Sequence, residues 1–173
     1  MAALTRKDIL RLFESLNTEL RKGGAEAELF LVGGAVMCLV YDARPSTRDV
    51  DAFFKPASVV REAAARVGAL THAGDKWLND GVKGFLSERG EFDGFLELSH
   101  LRVMVARADY MLAMKCLAMR IAPESHDLDD VRYLLRHLNI ETYDEALKVI
   151  TKFYPRERFP QKTLYALEEC SRS

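Results

Sequence analysis

The chain has 173 residues, of which 49% are hydrophobic, so it can bury the core of one domain or of a small domain with an appended helical lobe. Its 25 basic and 26 acidic residues give a formal net charge of -1, which excludes proteins that bind nucleic acid through a large basic surplus. A local basic patch is still compatible with these numbers, whereas a disordered chain would have fewer apolar residues and a larger net charge.

Cysteine content and the length of the apolar runs indicate the compartment. The three cysteines, Cys38, Cys116 and Cys170, are widely spaced and odd in number, so they form neither a disulfide framework nor a zinc-binding pattern. No apolar run reaches the roughly 18 residues of a membrane span, and the mixed-charge N-terminus does not resemble a signal peptide. We therefore expect a cytoplasmic protein with no membrane partner.

Apolar periodicity predicts the elements in chain order. The first helix is predicted over 5–21, where apolar residues recur at helical spacing and Thr5 and Asp8 stand at the N-cap and N3 positions. Short apolar strands are predicted at 28–32 and 50–54, separated by a helix and a loop. The remaining predicted elements are helices at 35–41, 57–70, 109–121, 127–138, 142–153 and 163–171 and strands at 95–98 and 101–106.

The order of these elements predicts the fold class. The first two-thirds of the chain is mixed, with a weak pattern between 71 and 94, and the last third is helical. This order predicts an α/β (α+β) fold, in which a small mixed sheet carries flanking helices. We assign the core to 1–107 and a C-terminal helical lobe to 108–173, two parts that can also pack as one domain.

The segment around the first two strands holds the residues that could do chemistry. Gly33-Gly34 ends one strand and begins a helix, so backbone N–H groups there could approach a phosphate closely. Asp49 and Asp51 are two residues apart at the next strand, which directs both carboxylates to one face, where Mg²⁺ would relieve their repulsion. Arg48 could contact phosphate, although its place on the opposite strand face fits a structural ion pair. Either motif alone is more often a plain turn or a solvated strand end, and their order and spacing favour a site.

These residues resemble the signature of the nucleotidyltransferase superfamily, hG[GS] followed by Dh[DE]h, where h is apolar. The chain has Val32-Gly33-Gly34 and Asp49-Val50-Asp51-Ala52. More narrowly, it resembles small bacterial nucleotidyltransferase-like proteins related to abortive-infection toxins, which carry an R-x-T-x-D-h-D string. The stretch from Arg44 to Asp51 matches that string with one extra residue before Thr47.

Three later strings resemble motifs of the same group, in the same order. They are Trp77-Leu78-Asn79-Asp80, Tyr110-Met111-Leu112-Ala113-Met114-Lys115 and Asp127-Leu128-Asp129-Asp130-Val131. By this resemblance Asn79 and Asp80 are nucleotide-binding candidates, and otherwise they are polar loop residues. Lys115 lies on an apolar helix face, so it either serves an anionic site or extends to solvent over the core. Asp127 could contact the nucleotide or orient Lys115, or it could cap its helix.

The resemblance implies a nucleotidyltransferase-like fold and a Mg²⁺- or Mn²⁺-dependent transfer of an NMP from an NTP to a hydroxyl of an RNA or protein acceptor. It implies catalytic roles for Asp49, Asp51 and Lys115, with the metal on the two aspartates and the phosphates at Gly33-Gly34. The superfamily often adds a third carboxylate on a neighbouring strand, for which Glu97 is the candidate. A toxin with a cognate antitoxin is the implied biological role. The alternative is a non-catalytic nucleotide-binding or regulatory protein that keeps the fold.

Overall fold

The computed structural model describes residues 3–119 and 125–172, which form a mixed α/β fold. Its helices are α1 (Arg6–Lys22), α2 (Gly34–Leu39), α3 (Ala57–Thr71), α4 (Ala108–Ala118), α5 (Asp127–His137), α6 (Tyr143–Ile150) and α7 (Gln161–Arg172). Its strands are β1 (Leu4–Thr5), β2 (Ala27–Val32), β3 (Ser46–Thr47), β4 (Val50–Lys55), β5 (Leu78–Asn79), β6 (Phe92–Glu97) and β7 (Leu101–Ala106). The predicted mixed α/β class with a helical C-terminal region is confirmed.

Several predicted elements had wrong bounds; the helix predicted at 142–153, for example, ends at Ile150. The helix predicted at 109–121 ends at Ala118, because Met119 has an extended backbone, with φ -58° and ψ 131°; residues 120 and 121 of that prediction lie outside the described residues. The strand predicted at 95–98 begins earlier, at Phe92, and has an irregular register between Gly94 and Leu96. Aspartate and glycine are poor strand formers, so its first half gives no strand signal in the sequence.

The chain divides into two compact units. One consists of Met1–Gly84 with Phe92–Ala106 and contains the strands and helices α1 to α3. The other consists of Phe85–Glu91 with Arg107–Ser173 and contains helices α4 to α7. The short segment before β6 thus belongs to the helical unit. None of the helices within the described ranges combines the length and apolar character needed to cross a membrane.

The main sheet has the strand order β5-β4-β2-β7-β6. β2 runs antiparallel to β4 and parallel to β7, and the short β5 runs parallel to β4. Alternate residues of β2 and β4 are fully buried, which matches the two-residue period of a strand packed on a core. Since Val32 pairs with Asp51, the end of β2 and the start of β4 meet at one edge of the sheet.

Helix α1 begins as predicted and is tied to α3. Thr5 Oγ1 accepts a hydrogen bond from Asp8 N at 3.2 Å, and Asp8 Oδ2 accepts one from Thr5 N at 2.9 Å, which completes a capping box. Farther along, the nearly buried Glu19 accepts hydrogen bonds from Lys22 Nζ at 3.2 Å and from Arg66 Nε of α3 at 3.1 Å. The bond from Lys22 has the largest effect on the pKa of the Glu19 carboxyl. Together the two bonds outweigh the effect of burial and lower this pKa below 4.5.

Glu19→Gln is expected to lower the free energy of unfolding at pH 7 by up to about 1 kcal/mol, since both partner side chains are half-exposed. A carboxyl whose pKa is depressed by folding contributes stability above its unfolded pKa and loses that contribution as the pH falls through the folded value. The difference between wild type and variant should therefore shrink below about pH 4.5. Urea unfolding at pH 7 and pH 3 tests this, with Glu14→Gln at an exposed position of α1 as the control. A difference independent of pH would contradict it.

Candidate active site

Gly33 forms the turn between β2 and α2. Its backbone has φ 70° and ψ -150°, a conformation that glycine adopts readily and other residues adopt only with strain. A Cβ placed on Gly33 would lie 3.2 Å from Asp51 Oδ2. The carboxylate of Asp51 therefore rests against the Cα of Gly33, and the glycine is needed for both its conformation and its small size.

Two polar side chains of the following loop cover Gly34. A Cβ at this position would lie 2.6 Å from Thr47 Oγ1 and 2.7 Å from Arg44 Nη1. Thr47 is buried, pairs with Leu4 across the two-stranded sheet, and donates from Oγ1 to the carbonyl of Asp49 at 3.3 Å. Thr47 therefore lies at the candidate site, although the sequence analysis gave it no role there. Its signal was the threonine of the R-x-T-x-D-h-D string.

Asp49 and Asp51 lie at the start of β4, on the edge that Gly33 occupies. Asp49 is in the bend before the strand and Asp51 is its second residue; both are partly exposed, while Val50 between them is fully buried. Asn79 on β5 pairs in register with Asp51 and donates from Nδ2 to Asp49 Oδ2 at 3.1 Å. The structure therefore brings together five of the predicted site residues: the two glycines, the two aspartates and Asn79.

Glu97 is not brought to the aspartates, so its assignment as the third carboxylate is not supported by the sheet. Glu97 of β6 pairs with Arg102 of β7, and Arg102 pairs with Glu28 of β2. Glu28 in turn pairs with Lys55 at the end of β4. Glu97 is thus in the row where β4 ends, three strands away from it, whereas Asp51 is near the start of β4. Its carboxylate accepts a hydrogen bond from Arg102 Nη2 at 3.3 Å.

Asp80 and Arg48 differ from Asn79 in their surroundings. The Asp80 carboxylate is bound by Lys83 Nζ at 2.7 Å and Arg61 Nη2 at 2.8 Å, and these bonds, Lys83 first, lower its pKa. Asp80 thus ties β5 to α3 and to the turn that follows β5. Arg48 is exposed in the bend between β3 and β4. The contact of Asp80 and Arg48 with a nucleotide stays a prediction.

Lys115 forms a buried ionic cluster in the helical unit. Its Nζ lies 2.9 Å from Asp127 Oδ1 and 2.7 Å from Asp130 Oδ2, and the three side chains are 11%, 8% and 3% exposed. The N-cap residue of α5 is His126, and Asp127 is the first residue of the helix, so the interpretation of Asp127 as an N-cap was wrong. The interpretation that Asp127 binds Lys115 is supported. Asp130 was not among the site residues predicted from the sequence, although the D-x-x-D spacing places it on the same helix face as Asp127.

The two aspartates could hold a metal ion only together with further ligands. Within residues 3–119 and 125–172, no group of three or more histidine, cysteine, aspartate or glutamate side chains is placed to hold a metal ion. Mg²⁺ commonly uses one or two carboxylates and takes its other oxygens from water and substrate phosphates. Compared with protein-family models, with curated proteins and with solved structures, the chain matches none.

Gly33→Ala is expected to lower the free energy of unfolding by about 1–3 kcal/mol and to weaken Mn²⁺ binding, since the added Cβ strains the turn and presses on Asp51. Gly24→Ala is a matched control, because Gly24 also has a positive φ, of 66°, but a Cβ there would have nothing within 4 Å. Urea unfolding measures the strain, and the electron paramagnetic resonance signal of free Mn²⁺ measures binding. If both variants affected Mn²⁺ binding equally, the contact with Asp51 would have no role.

Proposed function

We propose that this protein is a metal-dependent nucleotidyltransferase that moves an NMP from an NTP to an acceptor hydroxyl. The observation that carries the proposal is the meeting of Asp49, Asp51 and the Gly33-Gly34 turn at one edge of the sheet. Two carboxylates held close together repel each other unless a cation lies between them. An NTP brings phosphate oxygens that complete the coordination of such a cation.

The proposed reaction is an in-line displacement at the α-phosphorus. The acceptor oxygen forms a bond to this phosphorus, the bond to the bridging oxygen breaks, and pyrophosphate leaves with the electron pair of that bond. The hydroxyl proton passes to solvent or to a base that these residues do not assign. Asp49 and Asp51 would hold Mg²⁺ or Mn²⁺, which supplies charge neutralisation on the phosphates and orients the two oxygens. The turn at Gly33-Gly34 would lie against the phosphates, with Arg48 available as a further cation.

The roles of Lys115 and Asp127 as nucleotide contacts stay predictions. The ammonium group of Lys115 is shared by two carboxylates inside the helical unit, so its charge is already offset there. A direct contact with a triphosphate would have to compete with those carboxylates. We therefore base the proposal on Asp49 and Asp51 and give the lysine cluster a structural role that can be tested separately.

The acceptor and the biological role are extensions of the same proposal. An RNA or a protein hydroxyl would accept the NMP, and a toxin whose activity is held in check by a cognate antitoxin is the role that the sequence resemblance supports. Both are supported by the resemblance alone, whereas the metal and the NTP are also supported by the chemistry of the site.

Equilibrium binding distinguishes this function from a non-catalytic nucleotide-binding module. Each of the four NTPs is titrated into the protein by calorimetry with Mg²⁺ and with EDTA, and the titration is repeated on Asp49→Asn and Asp51→Asn. We expect binding of at least one NTP that requires Mg²⁺ and is lost in both variants. Binding that is unchanged by EDTA and by the two substitutions would favour the non-catalytic alternative.

A further inference from the structure

Asn79 uses both ends of its side-chain amide. Its Nδ2 donates to Asp49 Oδ2 at 3.1 Å, and its Oδ1 accepts from the backbone N–H of Gly81 at 3.3 Å. The N–H of Gly81 can only be a donor, so it selects the amide orientation that keeps the oxygen on its side. The NH₂ group is thereby directed at the carboxylate of Asp49.

The backbone that carries Asn79 is anchored in the core of the first unit. Trp77, two residues earlier, is fully buried and donates from Nε1 to the carbonyl of Ala64 at 2.9 Å. The carbonyl of Trp77 accepts a hydrogen bond at 2.7 Å from the backbone N–H of Val50, which lies between the two aspartates. The backbone next to Asn79 is therefore held beside the start of β4.

We propose that Asn79 is a positioning residue that holds the Asp49 carboxylate in the orientation in which it and Asp51 bind the divalent cation together. The inference rests on the proposed function, since it requires that the aspartates bind a metal ion. An amide donor suits this task because it stabilises the ionised carboxylate without adding a charge of its own. Groups that orient metal ligands in this way change metal affinity when they are removed, although they do not touch the metal.

The test is Mn²⁺ binding to the full chain, followed by electron paramagnetic resonance. Asn79→Ala removes the amide, and Asn79→Leu removes it while keeping a side chain of similar size. Asn17→Ala is the matched control, because Asn17 also uses both ends of its amide, toward Ser99 Oγ and the backbone of His100. Asp49→Asn with Asp51→Asn defines the signal that comes from this site.

We expect both Asn79 variants to bind Mn²⁺ at least about tenfold more weakly than wild type, while their near-ultraviolet circular dichroism is retained and Asn17→Ala binds normally. Wild-type affinity in Asn79→Ala and Asn79→Leu would overturn the inference and leave the proposed function standing. An equal loss in Asn17→Ala, or a loss only where the circular dichroism is also lost, would overturn it in favour of a purely structural amide. Wild-type binding that is unaffected by the aspartate substitutions would instead overturn the proposed function, and the inference with it.

Discussion

Replacing Asp49 and Asp51 together by alanine should reduce transfer of an α-labelled NMP by at least about a thousandfold while the protein stays folded. The two carboxylates are the only protein side chains that the proposal gives the metal as ligands, and without the metal the charge that develops on the phosphates is not neutralised. A thousandfold loss corresponds to about 4 kcal/mol of transition-state stabilisation. The measurement is incorporation of label from each NTP, with Mg²⁺, into total bacterial RNA and total bacterial protein.

The control for this double variant is Asp75→Ala with Asp93→Ala, which removes the same charge from two exposed positions of the same unit. We expect the control to label the same fraction as wild type, RNA or protein, which would also identify the acceptor class. Equal labelling by the wild type and the Asp49/Asp51 variant would show that any transfer occurs elsewhere. It would contradict the assignment of these carboxylates.

Lys115→Met is expected to lower the free energy of unfolding by about 3–5 kcal/mol, since it leaves Asp127 and Asp130 buried as neighbouring like charges. The variant loses the ammonium charge that offsets the desolvation of these two carboxylates. Lys83→Met is the matched control: Lys83 also binds an aspartate, Asp80, at 2.7 Å, but the lysine is 46% exposed. Its loss should cost no more than about 1 kcal/mol.

A second variant separates lost packing from the buried charges. Adding Asp127→Asn and Asp130→Asn to Lys115→Met removes both charges, and most of the lost stability should return, since neutral replacements of a buried ion cluster are often tolerated. Urea unfolding at pH 7 measures all four proteins. If Lys115→Met were as mild as Lys83→Met, the ammonium would not be what keeps these carboxylates buried.

Local signals predicted most of the fold. The capping residues of α1, the apolar run of β2 and the glycines after it, and the amphipathic pattern of α3 and α5 are each encoded within one segment. Strands β1, β3 and β5 have two residues each, which is too short for a periodic pattern in the sequence. Their formation depends on pairing with distant strands. The start of β6 is hidden for a different reason, because Asp93 and Gly94 are unfavourable in strands.

The sequence predicted the candidate residues that lie close together in one segment. It predicted less well the residues whose positions depend on strand order and pairing. Asp49, Asp51 and the glycine pair were predicted from their order and spacing together with the family resemblance. The place of Asn79 beside them depends on the parallel pairing of β5 with β4, and that of Glu97 on the strand order, which the sequence did not determine. Thr47 and Asp130 both lie in the motifs that carry the resemblance. The approach of Thr47 to Gly34 and the ion pair of Asp130 with Lys115 join separate elements, so spacing alone does not predict them.

The most direct test of the central claim is the location of the metal itself. Crystals of the full chain grown with Mn²⁺ and a non-hydrolysable NTP analogue would be measured for anomalous scattering by manganese. We expect a peak at coordination distance, roughly 2.0–2.2 Å for a hard cation, from carboxylate oxygens of both Asp49 and Asp51, with phosphate oxygens of the analogue also bound to the manganese. A nucleotide bound elsewhere, or a well-ordered nucleotide with no manganese at the two aspartates, would contradict it.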